Sequence, residues 1–231
     1  MTPLHLIWAI PLVLFLVLLL AMSSSRFRRR MFARFYDRVQ KKHESYLAER
    51  KHQLLSDVSG RILEIGPGTG ANFAYLSKGV DWIGLEPNPH MHAELRKKAR
   101  EHGIQAEFHV VSAEGIDLPD DSVDIVISTL VLCSVPDAEA TLQEIRRVLG
   151  PEGRFLFVEH VAAPAGTELR NWQRKLRPVW QWIGDGCCPD RETDRQIREA
   201  GFSRVEIEDL RIPRDVVPSF VSPHILGCAW N

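Results

Sequence analysis

The stretch Ile62-Leu63-Glu64-Ile65-Gly66-Pro67-Gly68-Thr69-Gly70-Ala71-Asn72-Phe73 decides the fold. Ile62 to Ile65 is a short apolar run and reads as a buried strand. Three glycines follow at alternate positions, and Glu64 stands two places before the first. That order predicts a strand feeding a tight turn that opens a helix, running through Phe73 to about Ser77. Glycines let the backbone approach a ligand closely, and a helix N-terminus directs free N–H groups at it. A nucleotide-like ligand is expected across this turn.

Downstream, the pattern repeats. Asp81-Trp82-Ile83-Gly84-Leu85-Glu86 reads as a second strand ending on an acid, followed by the turn Pro87-Asn88-Pro89 and a charged helix over 90–102. Ala106 to Val111 is a third strand, and Val123 to Ser128 a fourth. A helix is expected from Asp137 to Leu149, and a fifth strand from Phe155 to Glu159. The strand runs are continuously apolar, as strands covered on both faces should be. Their alternation with helices predicts an α/β fold: a seven-stranded, mostly parallel, Rossmann-like sheet with helices on both faces. Residues 161–190 break the rhythm with Trp172, Trp180, Trp182 and Gly184-Asp185-Gly186-Cys187-Cys188. They are expected to form a substrate lid inserted before a helix at 190–200 and strands near 203–209 and 223–230.

Upstream lie two different environments. Residues 1–25 hold no charged side chain, and Leu4–Met22 is interrupted only by His5 and Pro11. About 20 apolar residues span a bilayer as a helix. The basic cluster that begins at Arg26 follows the apolar run, the reverse of a secretory signal, and holds the downstream chain in the cytosol. Pro11 leaves a shallow insertion in one leaflet as the other option. Residues 26–51 carry ten Lys/Arg against three Asp/Glu. Phe32, Phe35, Tyr36, Val39 and Leu47 recur there at near-helical spacing. This helix is expected over 31–55, packed on the domain, laid on an anionic surface, or both. The divisions are an anchor over 1–25, a basic amphipathic collar over 26–58 and a catalytic domain over 59–231. The net charge of −1 points away from nucleic acid, and a monomer is expected. Cys133, Cys187, Cys188 and Cys228 form neither a disulfide framework nor a CxxC pair, so no metal is expected.

The turn alone is ambiguous. Gly66, Gly68 and Ala71 fit the G-x-G-x-x-A dinucleotide pattern, with Glu86 twenty residues on. A nicotinamide dehydrogenase is therefore one reading. Three features favour another. Glu64 is placed to meet a cationic amino group. Glu86 is placed to accept both hydroxyls of a ribose. Ala113-Glu114 and Asp124-Ile125-Val126 fit an adenine pocket followed by a reaction-centre strand. All these strand ends meet at the carboxyl edge of an open sheet. Together they resemble the class I S-adenosylmethionine methyltransferases.

The resemblance extends through Thr129–Val135, Glu144–Leu149, Val158-Glu159-His160-Val161-Ala162, Ile183–Cys188, Arg191-Glu192-Thr193 and Pro223-His224-Ile225. These segments are similar to the methyltransferase-like seven family of thiol S-methyltransferases. The chain departs from the family pattern at Pro67, Glu86 and Glu152. The resemblance implies S-adenosylmethionine as cofactor and small or alkyl thiols, including hydrogen sulfide, as acceptors. It implies an enzyme of the endoplasmic reticulum membrane and lipid droplets that faces the cytosol. The expected cofactor set is Glu64, Gly66, Gly68, Gly70, Asn72, Glu86, Pro87, Asn88, Ala113, Glu114, Thr129 and Leu130. Cys133, Trp172, Cys187 and Cys188 are expected near the acceptor, with His160 or Asp185 as the base. Few thiols are ionised at neutral pH, so a base would help. A lipid, quinone or other hydrophobic acceptor is the second reading. A non-catalytic cofactor-binding lipid-droplet protein is the third.

Overall fold

The computed structural model describes residues 24–231. The apolar run Leu4–Met22, and the anchor expected there, lie outside the described residues. Among the described residues no helix is long and apolar enough to cross a membrane.

The chain from Ser24 begins with α1 (Ser25–Leu55), 31 residues long. It starts before the expected collar helix because Ser24 caps it, its hydroxyl accepting from the Phe27 N–H. There follow β1 (Arg61–Ile65), β2 (Asp81–Leu85), α2 (His92–His102), β3 (Gln105–His109), β4 (Val123–Thr129), α3 (Ala138–Val148) and β5 (Leu149–His160). The chain closes with α4 (Glu168–Ile183), α5 (Thr193–Glu199), β6 (Arg204–Arg211) and β7 (Pro223–Trp230). The helix expected after the glycine turn is a single 3-10 turn, Ala71–Tyr75. The proposed lid is mostly helix α4, capped by the Thr167 hydroxyl and containing Pro178.

The seven strands lie in the order β3-β2-β1-β4-β5-β7-β6. The ladders from β3 to β5 are parallel. Those joining β7 to β5 and to β6 are antiparallel. The sheet is therefore mixed, which corrects the mostly parallel expectation. The reason is the link between β6 and β7. It contains only the short turn Ser219–Val221, whereas a parallel pair needs a crossover of a dozen or more residues, usually a helix.

Both faces of the sheet are covered. Leu63 and Ile65 of β1 pack on one side with Leu142 and Ile145 of α3. Ile62 packs on the other with Trp82, Phe73, Leu95 of α2 and Leu55 of α1. Helix α1 thus packs its apolar residues on the domain, one of the placements expected of the collar. Its Leu47 packs with Val158, Leu210 and Ile212. Its Lys51 is fully buried, ion-paired to Glu44 at 2.7 Å, with its ammonium 5.3 Å from the Tyr75 ring centre. A buried lysine without such partners would cost several kcal/mol. Strand order reverses between β1 and β4, and their carboxyl ends open the crevice that holds the site.

Candidate active site

A cavity of about 670 Å³ lies at that crevice. Its floor is the glycine turn. Gly66 and Gly68 have φ of 55° and 59°, a region costly for any residue with a side chain. A Cβ on Gly66 would stand 2.5 Å from Val131, and one on Gly68 would press on the Tyr36 ring at 3.4 Å. Both glycines, with Thr129 and Leu130, line the cavity. Gly70 caps the 3-10 turn with φ 83° and lies off the cavity wall.

Glu86, just beyond β2, faces the cavity. One carboxylate oxygen accepts from Gly68 N at 2.9 Å and the other from Asn88 N at 2.7 Å. Burial pushes its pKa up, and the two N–H bonds pull it back. A carboxylate has about four acceptor positions, so lone pairs remain for two hydroxyls. Pro87, Asn88, Ala113 and Glu114 complete this side of the wall. Glu114 is fixed at the α3 N-terminus by accepting from Asp137 N at 2.8 Å.

Glu64 is a different case. It is fully buried and does not line the cavity. Its oxygens accept from the Asn72 amide at 2.7 Å and the Trp82 indole at 2.9 Å. Burial raises its pKa to about 7 against those bonds. Glu64 and Asn72 therefore brace the turn from behind, and the carboxylate expected to meet an amino group does not open on the cavity.

The far wall belongs to the β4 loop and the lid. Leu130 has φ 58° and Asp185 φ 49°, both rare for residues with side chains. Leu130 is held there by its N–H to Val158 O at 2.8 Å. Glu159 fixes the same loop, one oxygen accepting from Ser128 Oγ, Val131 N and Leu132 N. Asp185, Gln181 and Trp182 face the cavity. Trp172 does not line it. It is 49% exposed on the outer side of α4, so the expected contact with acceptor is corrected.

Cys133, His160 and Cys187 come together one layer behind this wall. All three are buried, and none borders the cavity directly. His160 Nε2 meets Cys187 Sγ at 2.7 Å, and the Trp180 indole donates to the same sulfur at 3.1 Å. The Cys187 contact and burial both push the Cys133 thiol up. Burial lowers the His160 pKa, but the neighbouring Cys133 and Glu159 outweigh it and the net shift is upward. Cys188 accepts from the Gln181 amide at 2.8 Å. Of the two bases expected, Asp185 opens on the cavity and His160 does not.

The roof is the element that sequence reasoning missed. Arg28, Arg29, Phe32 and Tyr36 of α1 line the cavity. Arg29 pairs with Asp185 at 3.5 Å, and its carbonyl accepts from the Asn88 amide at 3.1 Å. Arg28 stacks 5.8 Å from the Trp182 ring centre. Asp37 accepts from the Thr69 hydroxyl and from Lys98 at 3.2 Å. These contacts span 32 positions or more along the chain, and the basic run hides them by reading as a solvated face.

A methyltransferase-domain family model matches residues 63–157. The human thiol S-methyltransferase TMT1B is 42% identical over 195 residues, covering 79% of this chain and 79% of that protein. Human thiol S-methyltransferase TMT1A is 37% identical over 212 residues, covering 87% and 86%. A possible histamine N-methyltransferase of Thermotoga maritima superposes with TM-score 0.62 at 22% identity, covering 88% of this chain and 99% of that one. The [4+2]-cyclase SpnF superposes with TM-score 0.61 at 19% identity, covering 80% of each. Such distant likenesses establish the fold and leave the reaction to the site.

Proposed function

This chain belongs to the thiol S-methyltransferase family of class I methyltransferases, and from that premise we propose that it transfers a methyl group from S-adenosylmethionine to small or alkyl thiols. The cavity suits this cofactor on its own geometry. The floor at Gly66 and Gly68 is a cradle that any Cβ would fill, and Glu86 presents remaining lone pairs for a ribose diol. Pro87, Asn88, Ala113 and Glu114 would border the nucleoside, and Thr129 and Leu130 the methionine portion. S-adenosylmethionine supplies an activated methyl on a cationic sulfur.

The chain's own part is alignment and exclusion of water. Phe32, Tyr36 and Trp182 close the cavity with apolar surface, which favours a reaction that neutralises charge. Leu130 and Val131 give the far wall a fixed surface against which the reactants can be aligned. Asp185 is the ionisable group of the lid that faces inward, and we assign it acceptance of the thiol proton. The observation that carries this reading is the joint presence of Glu86 and the glycine cradle on one wall with Asp185 and Trp182 on the other.

A hydrophobic acceptor is favoured by one observation. Phe35, Val39, Val179, Trp182 and Ile183 are large apolar side chains exposed on α1 and α4. With the run Leu4–Met22 and the basic cluster, they support a monomer held at the cytosolic face of the endoplasmic reticulum membrane or a lipid droplet, its cavity close to lipid. Purified full chain in detergent would be given labelled S-adenosylmethionine with hydrogen sulfide, dithiothreitol and a quinol in parallel. Transfer to the thiols is expected; transfer to the quinol alone would overturn the thiol reading. Deleting residues 1–25 is expected to release the protein from membranes, and retention would move the attachment to α1.

A further inference from the structure

We propose that Cys133, His160 and Cys187 form a binding site for a thiophilic divalent ion of the zinc class. The two sulfurs and one imidazole nitrogen lie within 4.8 Å of one another. They come from three separate segments: the loop after β4, the last residue of β5, and the loop after α4. All three side chains are at most 8% exposed. Along the chain the cysteines show no ligand spacing, which is why the cluster is invisible until the strands are assembled.

The donor set selects the ion. Two thiolates and an imidazole suit zinc, and the absence of a carboxylate argues against magnesium or calcium. Zinc–ligand bonds of about 2.0–2.3 Å in a tetrahedron separate donor atoms by roughly 3.3–3.8 Å. The 4.8 Å cluster accommodates that spacing. The 2.7 Å contact between His160 and Cys187 would open by about 1 Å, within reach of a ring rotation. Three protein ligands leave one tetrahedral position for water or another donor.

His160 turns Nε2 to Cys187 Sγ, and its buried Nδ1 has no hydrogen-bond partner that would hold the ring against the small rotation. A further feature points to a ligand. The outer shell of Cys187 is that of a thiolate: the Trp180 indole points its N–H at Cys187 Sγ. Such donors orient and tune metal-bound sulfur. The loops are also held in place before any ion arrives. Cys188 N donates to Cys133 O at 2.8 Å, and the Arg191 guanidinium donates to the carbonyls of Leu132 and Val135. An ion here would tie the lid loop, with Asp185 and Gly186, to the ends of β4 and β5. It would sit behind the cavity wall as a staple.

The test uses the full chain, purified in detergent under reducing conditions by a route without chelator or metal-affinity resin. Elemental analysis is expected to find about one zinc per chain, because a site assembled from buried thiols retains zinc through purification. Cys133→Ser and His160→Ala are expected to lose most of it, and Cys228→Ser to keep it. Should either variant fold poorly, Co2+ titration of the wild-type chain decides. Sulfur-to-cobalt charge-transfer bands and intense visible bands of a tetrahedral ion are expected, abolished by added Zn2+. Folded wild-type chain with less than about a tenth of an equivalent of metal and no cobalt bands would overturn the site. So would zinc retained in full by folded Cys133→Ser and His160→Ala, or a Cys133–Cys187 disulfide found by peptide mass.

Discussion

The cofactor wall and the acceptor wall of this cavity are built in opposite ways. The cofactor wall is local. A strand, a glycine turn and an acid at the next strand end occupy consecutive elements, β1 and β2, and their roles follow from order alone. The acceptor wall is assembled from α1, the β4 loop and the lid, whose contacts reach across the chain: Arg29 to Asp185 and Arg28 to Trp182. The lesson is that the shared chemistry of the class is written in short-range pattern, and the specificity is written in tertiary contact.

The strongest way to break the comparison is to fill the local cradle. Gly66→Val places a branched side chain at φ 55° and against Val131. S-adenosylmethionine affinity, by calorimetry, is expected to fall about a thousandfold or more, since strain and overpacking each cost about 1–3 kcal/mol and the ligand loses its floor. Glu86→Ala removes two charge-assisted ribose contacts, each worth about 1.5 kcal/mol, and is expected to weaken the same affinity about a hundredfold. Unchanged affinity in Glu86→Ala would mean that the acid serves only to shape the turn.

Glu64 sharpens the contrast within the cofactor wall itself. Its carboxyl stays protonated in the folded chain up to about pH 7, whereas an unperturbed glutamate ionises near 4.5. The folded state therefore binds more protons between these values, and stability falls as pH rises through that window. Denaturant unfolding is expected to show a loss of about 2 kcal/mol from pH 4.5 to 7 that Glu64→Gln lacks. A fall of the same size in both proteins would assign it elsewhere. On the acceptor side, Arg29→Ala cuts an ion pair that is part-exposed and worth about 1 kcal/mol or less. It is expected to raise KM for thiol about threefold with little change in global stability, measured by initial rates and thermal unfolding.

Much of the fold was legible because β1, β2 and β4 and the Phe155–Val158 part of β5 centre on short apolar runs, with glycine turns beside β1 and inside β5. What misled was direction and length. Nothing in the composition of 223–230 marks β7 as antiparallel; the missing helix between β6 and β7 does. Gly66, Gly68, Glu86 and Ala113, the residues assigned to the cofactor from spacing and resemblance, are gathered by the cavity. Glu64 looks like a ligand group because it precedes the glycines, but a strand alternates its faces and sends this side chain to Trp82. Trp172 shares the lid with Trp182, but helix α4 sets Trp172 away from the cavity and Trp182 at its rim. Tyr36 and Arg29 carried no local signal, because a basic helix looks alike whether it roofs a cavity or faces solvent.

The central claim is that cofactor and acceptor are held by separable walls of one thiol methyltransferase. Its most direct test is Trp182→Ala, with S-adenosylmethionine affinity and transfer kinetics to an alkyl thiol and to hydrogen sulfide measured on the same preparation. The account predicts cofactor affinity within about twofold of wild type, a KM for alkyl thiol raised about tenfold by the loss of apolar wall, and little change with hydrogen sulfide. Equal loss of cofactor affinity and of transfer to both thiols would contradict it.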